Sequence, residues 1–173
     1  ASAHVYLHRQ IGEALEDRYR HDLDPHLAEL AHHFAHAAPA GEIDKAIDYA
    51  RRAGERAIDQ LAYEEAARLF ELALQALELD PDVDPHVRCE LLLALGDAQA
   101  REGAFENAKA TFLRAAEIAK SESLTEQLAR AAIGYGGRFV WEPGRGDRHL
   151  RPLLEQAIAA LPEDDSKLRV RLL

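Results

Sequence analysis

One interval, running from Gly12 to Gly54 and repeated from Gly54 to Gly96, constrains this chain more than any other feature of it. Gly54 is followed by Ala66, Phe70 and Ala73 at offsets of 12, 16 and 19, and Gly96 by Ala108, Phe112 and Ala115 at the same offsets. Ile11-Gly12 precedes Ala53-Gly54 by the same interval that separates Ala53-Gly54 from Leu95-Gly96. Self-similarity at such a period marks stacked helical pairs. Ala66, Phe70 and Ala73 fall on one stripe of a helix, a large ring flanked by two small residues. The glycine on the preceding helix lets that helix come close, and the stripe must be buried against it.

The chain has 173 residues, 47% hydrophobic and 30% charged, which suits one folded domain and argues against disorder. A net charge of −10 and a pI near 5.3 make a poor surface for phosphates, so neither direct nucleic-acid binding nor binding to an anionic membrane is expected. No apolar run approaches the ~20 residues of a membrane span, and no signal peptide is visible. The single cysteine, Cys89, excludes an internal disulfide, fits a reduced cytoplasmic setting and reads as a small core residue. There is no methionine at all. With Lys167 to Leu173 reading as the start of another helix, a piece of a longer protein is expected.

In order, helices are predicted at Val5 to Tyr19, Pro25 to Ala38, Glu42 to Gln60, Tyr63 to Leu79, His86 to Arg101, Phe105 to Lys120, Leu124 to Tyr135 and Asp147 to Leu161. Asp24-Pro25 and Asp84-Pro85 read as helix starts, and Ser123 with Glu126 as a capping box. Gly103 reads as a helix end. The turn between the third and fourth helices has no Gly, Pro or clear cap. Gly134 takes the glycine role in a fourth pair. The expected fold is a single all-α domain over residues 1–173, an α-solenoid of about four helical pairs (1–39, 42–80, 85–121, 123–162) plus the start of a ninth helix.

The pattern of small residue and glycine on one helix, then Ala, Phe and Ala on the next, resembles the tetratricopeptide repeat. Gly103 and Phe105 fit its turn. The period departs from it, being longer than that of the motif and shorter between Gly96 and Gly134 than in the earlier pairs, and so does the missing motif tryptophan. The segments Leu27 to Ala37 (LAELAHHFAHA), Ala46 to Ala57 (AIDYARRAGERA), Leu61 to Leu74 (LAYEEAARLFELAL), Leu91 to Gly103 (LLLALGDAQAREG) and Gly134 to Asp165 together resemble one family. It is that of the large bacterial ATP-binding transcriptional regulators of the LuxR type and related STAND signalling ATPases. There a helical-repeat segment follows a P-loop ATPase domain. The resemblance implies a sensor or interaction arm, with neither the ATPase nor a DNA-reading domain in this sequence.

Individual residues offer little chemistry. His32 and His36 share a helix face at i, i+4 and are candidate metal ligands, with His26 or Glu29 within reach as a third. There is no His-Glu-x-x-His pattern, so a metalloprotease is excluded. The glycine-rich stretch Gly134 to Gly146 has no Gly-Lys and is no phosphate loop. Trp141 and Phe139 within it read as core caps, and Arg145-Gly146-Asp147 as a coincidental tripeptide. No Gly-x-Ser-x-Gly occurs, most carboxylates lie on solvated faces, and no catalysis or cofactor is expected.

The remaining candidate is the groove formed by the first helices of the pairs. The repeat register points Arg9, Glu13, Arg51, Glu55, Leu93, Asp97, Tyr135 and Arg138 towards it. Mixed charge suits a protein or peptide, or the parent chain's own ATPase domain. A small-molecule effector, a free-standing peptide-binding scaffold and a merely solvated face stand as alternatives.

Overall fold

A computed structural model of the chain describes residues 3–137, 147–162 and 167–172. Among these residues every regular element is helical: α1 (Ala3–Tyr19), α2 (Leu27–Ala37), α3 (Ile43–Asp59), α4 (Tyr63–Leu77), α5 (Pro85–Glu102), α6 (Phe105–Ser121), α7 (Thr125–Gly136), α8 (Leu150–Ala160) and α9 (Lys167–Leu172). No described helix is long and apolar enough to cross a membrane. Arg138, Phe139, Trp141 and the residues up to Gly146, on which several sequence expectations fall, lie outside the described residues. The chain gathers into two compact units, Ala1–Val83 and Asp84–Leu173.

In the first unit α1 packs on α2, α2 on α3 and α3 on α4. The stripe on α3 is Ala46, Tyr49, Ala50, Ala53, Gly54 and Ala57, and that on α4 is Ala66, Ala67, Leu69, Phe70, Ala73, Ala76 and Leu77. Phe70, 1% exposed, lies so close to α3 that a Cβ at Gly54 would stand 2.7 Å from its Cε1. Phe34 does the same on α2, where a Cβ at Gly12 would stand 2.9 Å from its Cζ. Its ring also stacks on Tyr49, 5.4 Å between centroids. The stretch from Gly12 to Phe34 is longer than that from Gly54 to Phe70, because an extended connection with a 3-10 turn at Asp24–His26 joins α1 to α2.

In the second unit α5 packs on α6 and α7, α6 on α7, and α7 on α8 and α9. Phe112, on α6, takes the place of Phe70, 2.8 Å from a Cβ built at Gly96. It also abuts Gly134 on α7, where a Cβ would overlap the ring. α5 buries Cys89, Leu91, Leu92, Leu93, Leu95, Gly96, Ala98 and Gln99, most of its circumference. The one polar side chain there, Gln99, accepts a hydrogen bond of 2.8 Å from the Thr111 hydroxyl, which removes the cost of burying either alone.

Three interhelical turns share one geometry. The amide of Ala62 donates to Ala57 O (2.8 Å), that of Ala104 to Gln99 O (2.9 Å) and that of Leu124 to Ala119 O (2.7 Å). Each spans a left-handed residue: Leu61 (φ 61°), Gly103 (φ 93°) and Ser123 (φ 58°). This is the Schellman closure, which satisfies carbonyls at the end of the helix. Leu61 precedes Gly103 by one repeat interval, so the turn that carries no signal in the sequence is the same turn with leucine at the glycine position. Two expected caps are corrected. Ser123 closes α6 and makes no side-chain cap to α7. Asp24 lies inside the 3-10 turn with no capping bond, its carboxylate 3.7 Å from Arg52. Asp84 does cap α5, accepting from His86 N at 2.8 Å.

Two substitutions test this packing. Gly54→Ala gains about 1 kcal/mol of helix propensity but drives a methyl into the Phe70 ring, so a net loss of about 1–2 kcal/mol is expected in urea denaturation. A more stable variant contradicts the contact. Leu61→Gly removes an exposed side chain from a left-handed position and is expected to raise stability by about 0.5–1 kcal/mol. A drop in midpoint contradicts the turn geometry.

Candidate functional site

The first helices carry a charged pair that recurs with the repeat. On α1 the Arg9 Nε lies 2.9 Å from Glu13 Oε1, and on α3 the Arg51 Nη1 lies 2.7 Å from Glu55 Oε1. Arg9 and Arg51 stand one repeat interval apart, as do Glu13 and Glu55. All four side chains are exposed, and each pair is an i, i+4 match worth about 0.3–0.5 kcal/mol. Arg9 also reaches Glu42, and Arg51 reaches Asp48. The face is therefore internally neutralised rather than one sign of charge.

Behind it lies a tighter polar knot. Glu16 on α1 accepts from Lys45 Nζ and Tyr49 Oη on α3, both at 2.6 Å. Burial first, then the Glu16 carboxylate, push the Tyr49 phenol above its ordinary range.

In the second unit the equivalent positions divide. Asp97 is exposed on α5, yet the protein around it pushes its carboxyl above the ordinary value, against the pull of Arg101, Arg130 and Arg171. Leu93, 2% exposed, packs in the core and does not line an open face. Tyr135 is also buried, and its hydroxyl donates to Asp147 at 2.8 Å. Burial works against the charge on Asp147, but the bonds from Tyr135, the His149 amide and Lys109 outweigh it and hold that carboxyl below its ordinary value. Arg138 lies outside the described residues. The register that faces outward at Arg9 and Arg51 turns inward at Leu93 because α5 is buried around most of its circumference.

His32 and His36 have company that their spacing along one helix does not reveal. Their ring centroids are 4.6 Å apart, and the His8 ring on α1 lies 5.6 Å from His32, 5.0 Å from His33 and 4.5 Å from His36. His4 lies 4.5 Å from His8 and 6.0 Å from His36. His8 Nδ1 and His33 Nδ1 are hydrogen-bonded at 3.0 Å. The expected third partners turn elsewhere: His26 stacks on Tyr19 at 3.5 Å and sits 3.8 Å from Glu29. Burial, and then the neighbouring imidazoles, lower the pKa of His8, His33 and His36 below the ordinary histidine value. The signal that finds His8 is the i, i+4 pair it forms with His4 on the helix that packs against α2. Among the described residues, no group of three or more His, Cys, Asp or Glu side chains is placed so that it could hold a metal ion as the rings stand.

No known protein family, curated protein or solved structure matches the chain.

Cys89 supplies a check on the second unit. Its thiol is fully buried, 3.5 Å from Ala115 O, and burial pushes its pKa up to about 11. A thiol-specific chromogenic reagent is expected to leave the native chain unmodified near neutral pH and to react at once in denaturant. Rapid native reaction would mean that the α5–α6 seam opens.

Proposed function

We propose that this chain is a tetratricopeptide-like solenoid that serves as a non-catalytic interaction or sensor arm. It belongs to a cytoplasmic bacterial signalling ATPase or LuxR-type transcriptional regulator, and binds a protein partner or the ATPase domain of its own parent chain. The observation that carries the reading is the repetition, at one register, of both an interior contact and a surface pair. Gly54–Phe70 and Gly96–Phe112 repeat inside. Arg9–Glu13 and Arg51–Glu55 repeat outside on successive first helices. On α1 and α3 the exposed pair recurs together with the core contact, so the first unit presents two similar, evenly spaced groups, as repeat proteins do along a binding face. Paired rather than single-sign charges favour a protein or peptide over a polyanion.

The reading is tested on the parent gene and then on its product. The flanking reading frame is expected to encode a P-loop ATPase upstream. In the full-length protein, the double reversal Arg51→Glu with Glu55→Arg keeps the intrahelical pair but inverts the face. It is expected to change nucleotide turnover without altering the helical circular dichroism. Turnover identical to the native protein would sink the arm's role. Flanks without an ATPase would sink the regulator reading and leave a peptide-binding scaffold, to be examined with a peptide library.

A further inference from the structure

Five imidazoles meet at one seam, and the reading above uses none of them. His4 and His8 stand one helical turn apart on α1, and His32 and His36 stand one turn apart on α2. Each pair alone is the i, i+4 arrangement that can chelate a metal from one helix. Here the two pairs face each other. Five of the six centroid separations among the four rings are 4.5 Å (His4–His8), 4.5 Å (His8–His36), 4.6 Å (His32–His36), 5.6 Å (His8–His32) and 6.0 Å (His4–His36); His4 meets His8 and His36. Imidazoles bound tetrahedrally to one ion at ~2.0–2.1 Å per nitrogen have centroids about 5 Å apart. The His8, His32 and His36 rings are therefore near the spacing of a common ligand shell, although no three side chains are placed to hold an ion as they stand.

We propose that the α1–α2 seam is a binding site for one borderline transition-metal ion of the Zn2+ class, with His8, His32 and His36 as ligands, His4 as the fourth, and His33 as the residue that orients His8. Imidazole nitrogen suits this class of ion and not Mg2+ or Ca2+. The His8–His33 bond through both Nδ1 atoms leaves His8 Nε2 for the metal. A second ring held on the remote nitrogen of a ligand is the usual device for fixing its tautomer and orientation. Loading requires the rings to turn about their side-chain bonds. His4, His32 and His36 are exposed, so they can turn without disturbing the core and the ion can enter directly from solvent. Because the ligands come from two helices, the ion would clamp α1 onto α2.

Calorimetric titration of Zn2+ alone into the native chain, free of any affinity tag, is expected to give one ion per chain. Co2+ in its place is expected to show the intense visible absorption of tetrahedral coordination. His8→Asn is expected to weaken Zn2+ by at least about tenfold, since losing even an outer-shell partner costs 10–100-fold, while His21→Asn leaves it unchanged. Zn2+ is also expected to slow amide exchange along α1 in the native chain, a readout that needs no variant. The proposal is overturned by absence of binding, or by His8→Asn binding as tightly as the native chain, which would reduce the site to an adventitious His32–His36 chelate. Unchanged exchange along α1 overturns it equally.

Discussion

The contact on which the rest depends is a phenylalanine ring lying against bare helix backbone. Phe34 meets Gly12, Phe70 meets Gly54, and Phe112 meets Gly96 and Gly134. Each ring is 2% exposed or less. Truncating such a ring to alanine costs about 3–5 kcal/mol, so a few of these contacts compare with the whole stability of a small domain. The ring needs a glycine opposite because a single methyl would overlap it. It needs alanines at one turn on either side of it, Ala66 and Ala73 or Ala108 and Ala115, because larger neighbours would hold the helices apart. The sequence spacing follows from that geometry: Gly54 to Phe70 and Gly96 to Phe112 are equally long because the same tight turn joins each helix to the next.

The turns show how much latitude the same closure has. Leu61, Gly103 and Ser123 all take the left-handed conformation, although only glycine takes it without strain. The repeated 6→1 hydrogen bond and the burial of the flanking helices hold the other two in place. The first pair escapes this rule. Its longer connection places Phe34 later in the chain than the repeat would, yet delivers the ring to the equivalent glycine. Position in space, rather than position in sequence, is what the packing selects.

The glycine, phenylalanine and alanine stripes were legible in the sequence because they are local: each helix shows its own period. So were the helices themselves, to within a few residues at their ends. Features that depend on a neighbour were not legible. Gly134 fits a fourth pair by its spacing, but nothing along the chain says that it abuts the Phe112 ring. Leu93 and Tyr135 hold register positions that face outward in the first unit, and only the crowding around α5 and the Asp147 carboxylate explain their burial. Asp24 and Ser123 have the chemistry of caps, but an arginine draws the first aside and a left-handed backbone turns the second away. His32 and His36 were visible as a pair, whereas His8 enters their group from the preceding helix, across a seam.

One ring in the second unit serves two helices at once. Phe112 projects from α6 into the backbones of both α5 and α7. An ordinary pairwise contact lets helices peel off one at a time, like pages. A wedge gripped on both sides does not: sliding α7 along its axis drags the ring, and the ring presses on α5. Three helices so pinned behave as a single lever. A displacement of α7 is then felt at α5 through the Phe112 ring.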